Sequence, residues 1–310
     1  MNPLSISNAP RTLGRSSLRS SPLAYGCWRF AGTDVSTARA KVEAALELGV
    51  TLFDHADIYG YGDDTQFGDA EALFGEVLAE APELRDRMVI ASKCGIIIGV
   101  PYDSSAAWIT QAAEDSLRRL QVDVIDLYQI HRPDFLGHPA EIAEALTRLR
   151  SEGKIREVGV SNYSPSQVRA LQAHLSFPIA TVQPEFSCWR HHALRDGVLD
   201  QCLELQMTPL AWSPLGGGVI GLSPEEAEGR PDGARLASML RVLDRIADEQ
   251  GVSRTAVAMA WTMVHPAGVI PIIGTQRVER IQQCMDALKV EFTRTQWNEI
   301  LVAAQGEPLP

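Results

Sequence analysis

Beyond its first twenty residues the chain keeps a rhythm that few folds can satisfy: short apolar runs alternate with longer segments patterned as helices. The runs are Leu23 to Cys27, Thr51 to Asp54, Met88 to Ser92, Val124 to Ile130, Ile155 to Val160, Ile179 to Gln183, Thr208 to Trp212 and Gly268 to Ile273. Strands spaced by helices imply repeated βαβ units and a parallel sheet. About eight alternations is the number a closed α/β barrel needs, so a barrel is the expected architecture.

The segments between the runs carry helix punctuation. Ser36 reads as an N-cap, Val42, Ala45 and Leu46 form a stripe, and Gly49 stands where a glycine ends a helix. Pro139 at a first helical position leads Ile142, Ala145, Leu146 and Leu149 before Gly153, and Ser164-Pro165 opens another helix. Only Thr293 to Ala304 reads as an extra helix outside the repeat. From Ser213 to about Gly233 the rhythm breaks: this Gly- and Pro-rich connection of roughly 20 residues is far longer than usual, which marks it as functional. No linker splits the chain, so residues 1–310 read as one domain.

With 45% hydrophobic residues the chain can bury a sizeable core, and its net charge of −11 argues against attraction to nucleic-acid phosphates or anionic membranes. No apolar run approaches the ~20 residues of a membrane span. The five cysteines, Cys27, Cys94, Cys188, Cys202 and Cys284, show no Cys-x-x-Cys spacing and suit reduced thiols in the cytoplasm. The first twenty residues are Ser- and Arg-rich without an acid, as in a transit peptide, but also read as a short hairpin, which is the preferred reading.

Four residues suited to proton chemistry fall at or just after expected strand ends: Asp54, Tyr59, Lys93 and His131. In a parallel barrel every strand opens on the same face, so these distant residues converge there. Singly, each has a plainer reading: Asp54 as a cap, Lys93 as a solvated amine, His131 as a structural histidine, Tyr59 as a loop aromatic. A lysine directly after the apolar run Met88 to Ser92 is harder to dismiss, because its charge calls for a carboxylate such as Asp54. Beside Tyr59 it would lower the phenol's pKa towards that of a usable acid, with His131 holding a carbonyl oxygen.

Six motifs then occur in one order: Phe53-Asp54-His55-Ala56-Asp57-Ile58-Tyr59-Gly60, Ser92-Lys93-Cys94-Gly95, Ile130-His131-Arg132-Pro133-Asp134, Gly159-Val160-Ser161-Asn162, Ala211-Trp212-Ser213-Pro214-Leu215 and Pro271-Ile272-Ile273-Gly274-Thr275. From about Arg11 to about Trp297 the chain resembles the aldo-keto reductase superfamily, above all its bacterial stand-alone oxidoreductases related to potassium-channel beta subunits. The resemblance implies a TIM-type (β/α)8 barrel, an N-terminal β-hairpin plugging its floor at Arg11-Thr12-Leu13-Gly14 and Leu18, and an extra C-terminal helix. It implies that Tyr59 protonates the substrate carbonyl as hydride arrives from a nicotinamide, with Asp54 and Lys93 tuning Tyr59 and His131 orienting the carbonyl.

The same resemblance places Ser161, Asn162 and Gln183 on the nicotinamide carboxamide and Trp212 on its ring. The run Gly216 to Gly221 satisfies Gly-x-Gly-x-x-Gly, but a Rossmann turn must open into a helix, which Pro224 and Pro231 argue against. A mobile loop in which Ser213, Leu215 and Gly217 approach the pyrophosphate fits better. At the adenosine end Gly274-Thr275 leads into a helix starting near Arg277. There Thr275 and Arg280 match residues that hold a 2′-phosphate, so NADPH (NADP) is favoured over NADH. Gly274 replaces a frequent lysine, and Gln283-Cys284 a Glu-Asn pair that grips adenine.

His191-His192 beside Cys188 lacks the spacing of a metal site, so no metal is expected. Trp28, Tyr61, Arg132 and Trp189 follow strands and would line the mouth, suggesting an apolar small-molecule carbonyl substrate that can carry a negative group. A monomer is expected in the absence of a heptad seam. The rival reading is an NADPH-binding redox-sensing or regulatory subunit, against which the intact Asp54, Tyr59, Lys93 and His131 set argues.

Overall fold

The computed structural model of the chain describes residues 4–62 and 64–309. Eight parallel strands close into a barrel: β3 (Ala24–Gly26), β4 (Leu52–Asp54), β5 (Val89–Cys94), β6 (Ile125–Ile130), β7 (Ile155–Ser161), β8 (Thr181–Gln183), β9 (Thr208–Ala211) and β10 (Ile270–Ile273), with β10 pairing back onto β3. Every strand expected from the apolar runs is present. An antiparallel hairpin, β1 (Arg11–Thr12) and β2 (Arg19–Ser20), precedes them.

Alternation along each strand sorts side chains to the two faces of the barrel wall. Ala24, Leu52, Val89, Ala91, Leu127, Ala180, Leu210, Ile270 and Ile272 share one buried cluster with Leu13 and Leu18 of the hairpin connection, and this cluster is the barrel floor. Their strand neighbours Tyr25, Phe53, Ile90, Tyr128 and Val158 join the larger core beneath the helices. The hairpin seals against the wall through Gly14, whose N–H donates to Thr208 Oγ1 at 2.8 Å. Gly14 has φ +58°, and a Cβ there would run into the Ala180 carbonyl oxygen, so both backbone and space demand glycine.

Around the barrel lie α1 (Val35–Glu47), α2 (Asp69–Glu80), α3 (Ala106–Leu120), α4 (Pro139–Ser151), α5 (Pro165–Gln172), α6 (Val198–Leu205), α7 (Pro224–Glu228), α8 (Gly233–Gln250), α9 (Arg254–Met263), α10 (Val278–Met285) and α11 (Arg294–Gln305). Three expectations are corrected. Asp34, not Ser36, caps α1, accepting from Thr37 N–H. The glycine-rich connection is mostly built of tight turns: two turns meet across a kink at Gly217 (φ +69°) and Gly218 (φ +98°) and lead to α7, which Pro224 opens from its first position instead of preventing. Between that connection and β10 the chain forms both α8 and α9, so α11 is not the only helix beyond the repeat. Trp261 of α9 and Trp297 of α11 stack at 4.7 Å, and each indole N–H donates to the other's carbonyl at 3.0 Å. Among the described residues no helix is long and apolar enough to cross a membrane.

Candidate active site

The inner face of the wall changes character towards the C-terminal ends of the strands. Two residues beyond Leu52 the inward position is Asp54, two beyond Ala91 it is Lys93, and two beyond Leu127 it is Gln129. Lys93 therefore sits inside β5 and not after it, which explains why it is fully buried. Its amine donates to Asp54 Oδ2 at 2.7 Å, to the His55 carbonyl at 2.7 Å and to the Tyr59 hydroxyl at 3.0 Å. All three ammonium hydrogens are thus accounted for.

Asp54 is held from its other side. Gln183 Nε2 donates to Asp54 Oδ1 at 3.0 Å, Gln129 Nε2 reaches the same oxygen at 3.5 Å, and Thr181 Oγ1 donates to Gln129 Oε1 at 3.4 Å. Gly159 makes room for this layer: a Cβ there would overlap Thr181 Oγ1 and come within 3.0 Å of Gln129 Cγ. Gln129 and Thr181 were not singled out from the sequence, although a glutamine inside the otherwise apolar end of β6 was a visible signal.

Tyr59 lies in the loop after β4, its ring edge-on to His131 with centroids 5.8 Å apart. Burial raises the Tyr59 pKa, and the Lys93 charge offsets that only in part. The expected net lowering is therefore reversed: desolvation of the phenolate outweighs one nearby cation. For Lys93, burial works to lower the pKa, but Asp54 and Tyr59 prevail and hold it above the ordinary range. Burial, with Lys93 and Arg132 nearby, pushes His131 well below the usual imidazole range, so it is neutral at pH 7. Next to the set, His55 is pushed down to about 3 by burial and Lys93, and neither ring nitrogen has a partner.

Beside His131 a second polar cluster forms. Asn162, at the unusual φ of +60°, donates to the His131 carbonyl at 3.1 Å and to Ser161 Oγ at 2.8 Å, and accepts from Trp212 Nε1 at 3.0 Å. Ser161 Oγ donates to the Gln183 carbonyl at 3.0 Å. Ser213, directly after Trp212, is another non-glycine residue in the left-handed region, with φ +49°. Both stand just beyond strand ends, Asn162 after β7 and Ser213 after β9, where their backbone is held in a conformation non-glycine residues seldom adopt. Arg132 places its guanidinium 5.6 Å from the Trp212 ring centre.

Trp28 and Tyr61 stand 63% and 56% exposed at the rim. Trp189 is half-buried: the Arg235 guanidinium of α8 lies 4.5 Å from its ring centre, and it packs next to Gly216. Leu215 precedes the kinked turns, and Gly217 is exposed at the kink. At β10, Thr275 Oγ1 accepts from Arg277 N–H at 3.2 Å, and Tyr25 O–H donates to the Thr275 carbonyl at 3.0 Å. Gly274, Arg280 and Gln283 are exposed there. Among the described residues no group of His, Cys, Asp and Glu could hold a metal ion, and all five cysteines are buried and free.

An eight-stranded parallel barrel with a hairpin floor and, at its open end, buried Asp54, Lys93 and His131 around a half-buried Tyr59 defines the class. Residues 22–303 match the model of the Aldo/keto reductase family, and the chain belongs to that family. It is 48% identical to a 6-dehydroglucose reductase of Novosphingobium aromaticivorans over 312 residues, covering 100% of both chains. It is 39% identical to a 6-dehydroglucose reductase of Agrobacterium fabrum, covering 94% of this chain and 96% of that one. Among solved structures, a glycerol dehydrogenase from Gluconobacter oxydans superposes with a TM-score of 0.83 at 26% identity over 98% of each chain. The chain is accordingly an oxidoreductase of the carbonyl-reducing type, within a family that works with nicotinamide cofactors.

Proposed function

We propose that this protein is an NADPH-dependent reductase that converts an aldehyde or ketone to an alcohol, with Tyr59 delivering the proton. The observation that carries the reading is the buried Lys93 amine shared by Asp54, the His55 carbonyl and Tyr59. The bound cofactor supplies hydride. Tyr59, kept as a neutral phenol by burial, can donate to the substrate oxygen. As its proton leaves, the Lys93 cation 3.0 Å away stabilises the phenolate that remains. Asp54 keeps Lys93 charged, and neutral His131 can donate an N–H to the same substrate oxygen.

The donor set fits a nicotinamide dinucleotide. Ser161, Asn162 and Gln183 offer the hydroxyl and amides a carboxamide needs, and Trp212 offers a flat ring beside them. Ser213, Leu215 and Gly217 would approach the pyrophosphate. Arg277 gives no side-chain cap to α10, so the first amides of that helix remain open to an anion near Gly274, Thr275, Arg280 and Gln283.

For the substrate, full-length 48% identity to a 6-dehydroglucose reductase supports a sugar-sized aldehyde bearing several hydroxyls, in place of the apolar compound suggested by the aromatics alone. Trp28 and Tyr61 present flat faces on which the C–H side of a sugar ring can lie, and Arg132 presents donors for its hydroxyls. Residues 1–310 would act as one catalytic domain, monomeric and cytoplasmic.

The test is NADPH consumption by the purified protein with a hexose oxidised to the aldehyde at C6, an aromatic aldehyde and a quinone. The sugar aldehyde is expected to react fastest, and more slowly with NADH. Cofactor binding without consumption on any carbonyl would replace this reading with the cofactor-sensing one.

A further inference from the structure

Lys41 sits in the middle of α1, where an amphipathic pattern makes a lysine look like a solvated residue, yet it is only 7% exposed. Among the described residues no carboxylate lies within ion-pairing distance of it. Its amine makes one hydrogen bond, to Gln276 Oε1 at 3.0 Å, and lies 5.8 Å from the centre of the Phe30 ring. Burial lowers its pKa; Asp34, the cap of its own helix, and Cys27, just after β3, oppose that. A buried ammonium without a counter-ion is an expensive arrangement unless an anion comes to it.

Gln276 supplies the second half of the observation. Its Oε1 is taken by Lys41, while its Nε2 is buried near the Tyr25 hydroxyl without a well-aligned hydrogen bond. The residue lies between Thr275 and the uncapped start of α10, in a turn that Tyr25 ties to the barrel wall. An anion docking on this turn would give the open helix amides, the poorly bonded Gln276 amide and the unpaired Lys41 charge what each lacks. The β10 end itself offers no lysine, since the residue leaving the strand is Gly274.

We propose that Lys41 is a specificity-determining positioning residue for the 2′-phosphate of the dinucleotide, supplying from α1, through Gln276, the positive charge absent at Gly274. This rests on the NADPH reading above. The test is calorimetric binding of adenosine 2′,5′-bisphosphate and of 5′-AMP to the full chain and to Lys41→Met, Lys41→Gln and Lys41→Arg, with Tm measured in parallel.

Lys41→Met is expected to weaken the bisphosphate about tenfold and to leave 5′-AMP nearly unchanged. Lys41→Arg is expected to recover most of the loss. Because an unpaired buried charge is removed, the Tm of Lys41→Met is expected to hold or rise; if that variant fails to fold, Lys41→Gln carries the same comparison. Equal weakening of both ligands would show that Lys41 only shapes the turn, and no weakening would show that its charge is irrelevant; either overturns the inference. Equal affinity of the unaltered protein for the two ligands would overturn the NADPH reading itself, and this inference with it.

Discussion

The two ends of the barrel are made by the same eight strands and differ in what faces inward. At the floor the inner positions are Ala24, Leu52, Val89, Ala91, Leu127, Leu210 and Ile270, closed by Leu13 and Leu18. At the mouth the inner positions two residues on are Asp54, Lys93 and Gln129, and near them the two nitrogens of His55, both oxygens of Asp57 and Nδ1 of His131 are buried without partners. The floor gains stability from transfer of apolar surface, roughly 25 cal/mol per Å². The mouth forgoes that gain and carries desolvated polar groups, which is where chemistry needs them.

Substitutions at the two ends should therefore separate activity from stability. The largest effect is expected at the mouth. Lys93→Met removes the cation beside Tyr59 and should lower kcat by about 10²- to 10⁴-fold. The same change leaves Asp54 charged, buried and unpaired, a loss of about 3–5 kcal/mol in stability, read from denaturant unfolding. Next comes the floor: Leu13→Ala should cost about 2–5 kcal/mol through the cavity it opens, with kcat/KM unchanged in the folded fraction. If Leu13→Ala impaired turnover as severely as Lys93→Met, the division between the two ends would be wrong.

Gly159→Ala should fall between these in kind and below them in size. Its added methyl displaces Thr181 and Gln129 behind Asp54, so an overpacking cost of about 1–3 kcal/mol should be joined by a measurable fall in kcat. The smallest effect concerns pH. The reacting form of Tyr59 is the neutral phenol, and its pKa is raised, so the rate of carbonyl reduction should stay level through neutrality and decline only in the alkaline range. Because His131 is held neutral, no acidic limb is expected near the ordinary imidazole pKa of about 6.5. A pH profile with a clear limb there would show that His131 titrates in the working enzyme.

Much of this was legible in the sequence. The eight strands announced themselves as apolar runs, and Asp54, Tyr59 and His131 could be found because they stand where such runs end. Lys93 was legible as chemistry but misplaced, since a charge inside a strand becomes tolerable only once its carboxylate is known. What remained hidden depends on three dimensions. Gln129 and Thr181 meet because Gly159 leaves a gap between them, and Lys41 looks like any helix lysine until α1 packs against the β10–α10 turn. The direction of the Tyr59 shift was missed for a similar reason: the neighbouring charge is visible in sequence, whereas the depth of burial that outweighs it is not.

The central claim is that the Tyr59 hydroxyl, bound to the Lys93 amine, is the proton source for carbonyl reduction. Single-turnover reduction by Tyr59→Phe, compared with the unaltered protein at matched cofactor saturation, tests it most directly. The account predicts a chemical step slowed by about 10²- to 10⁴-fold with cofactor affinity and Tm little changed. A chemical step as fast as in the unaltered protein would contradict it.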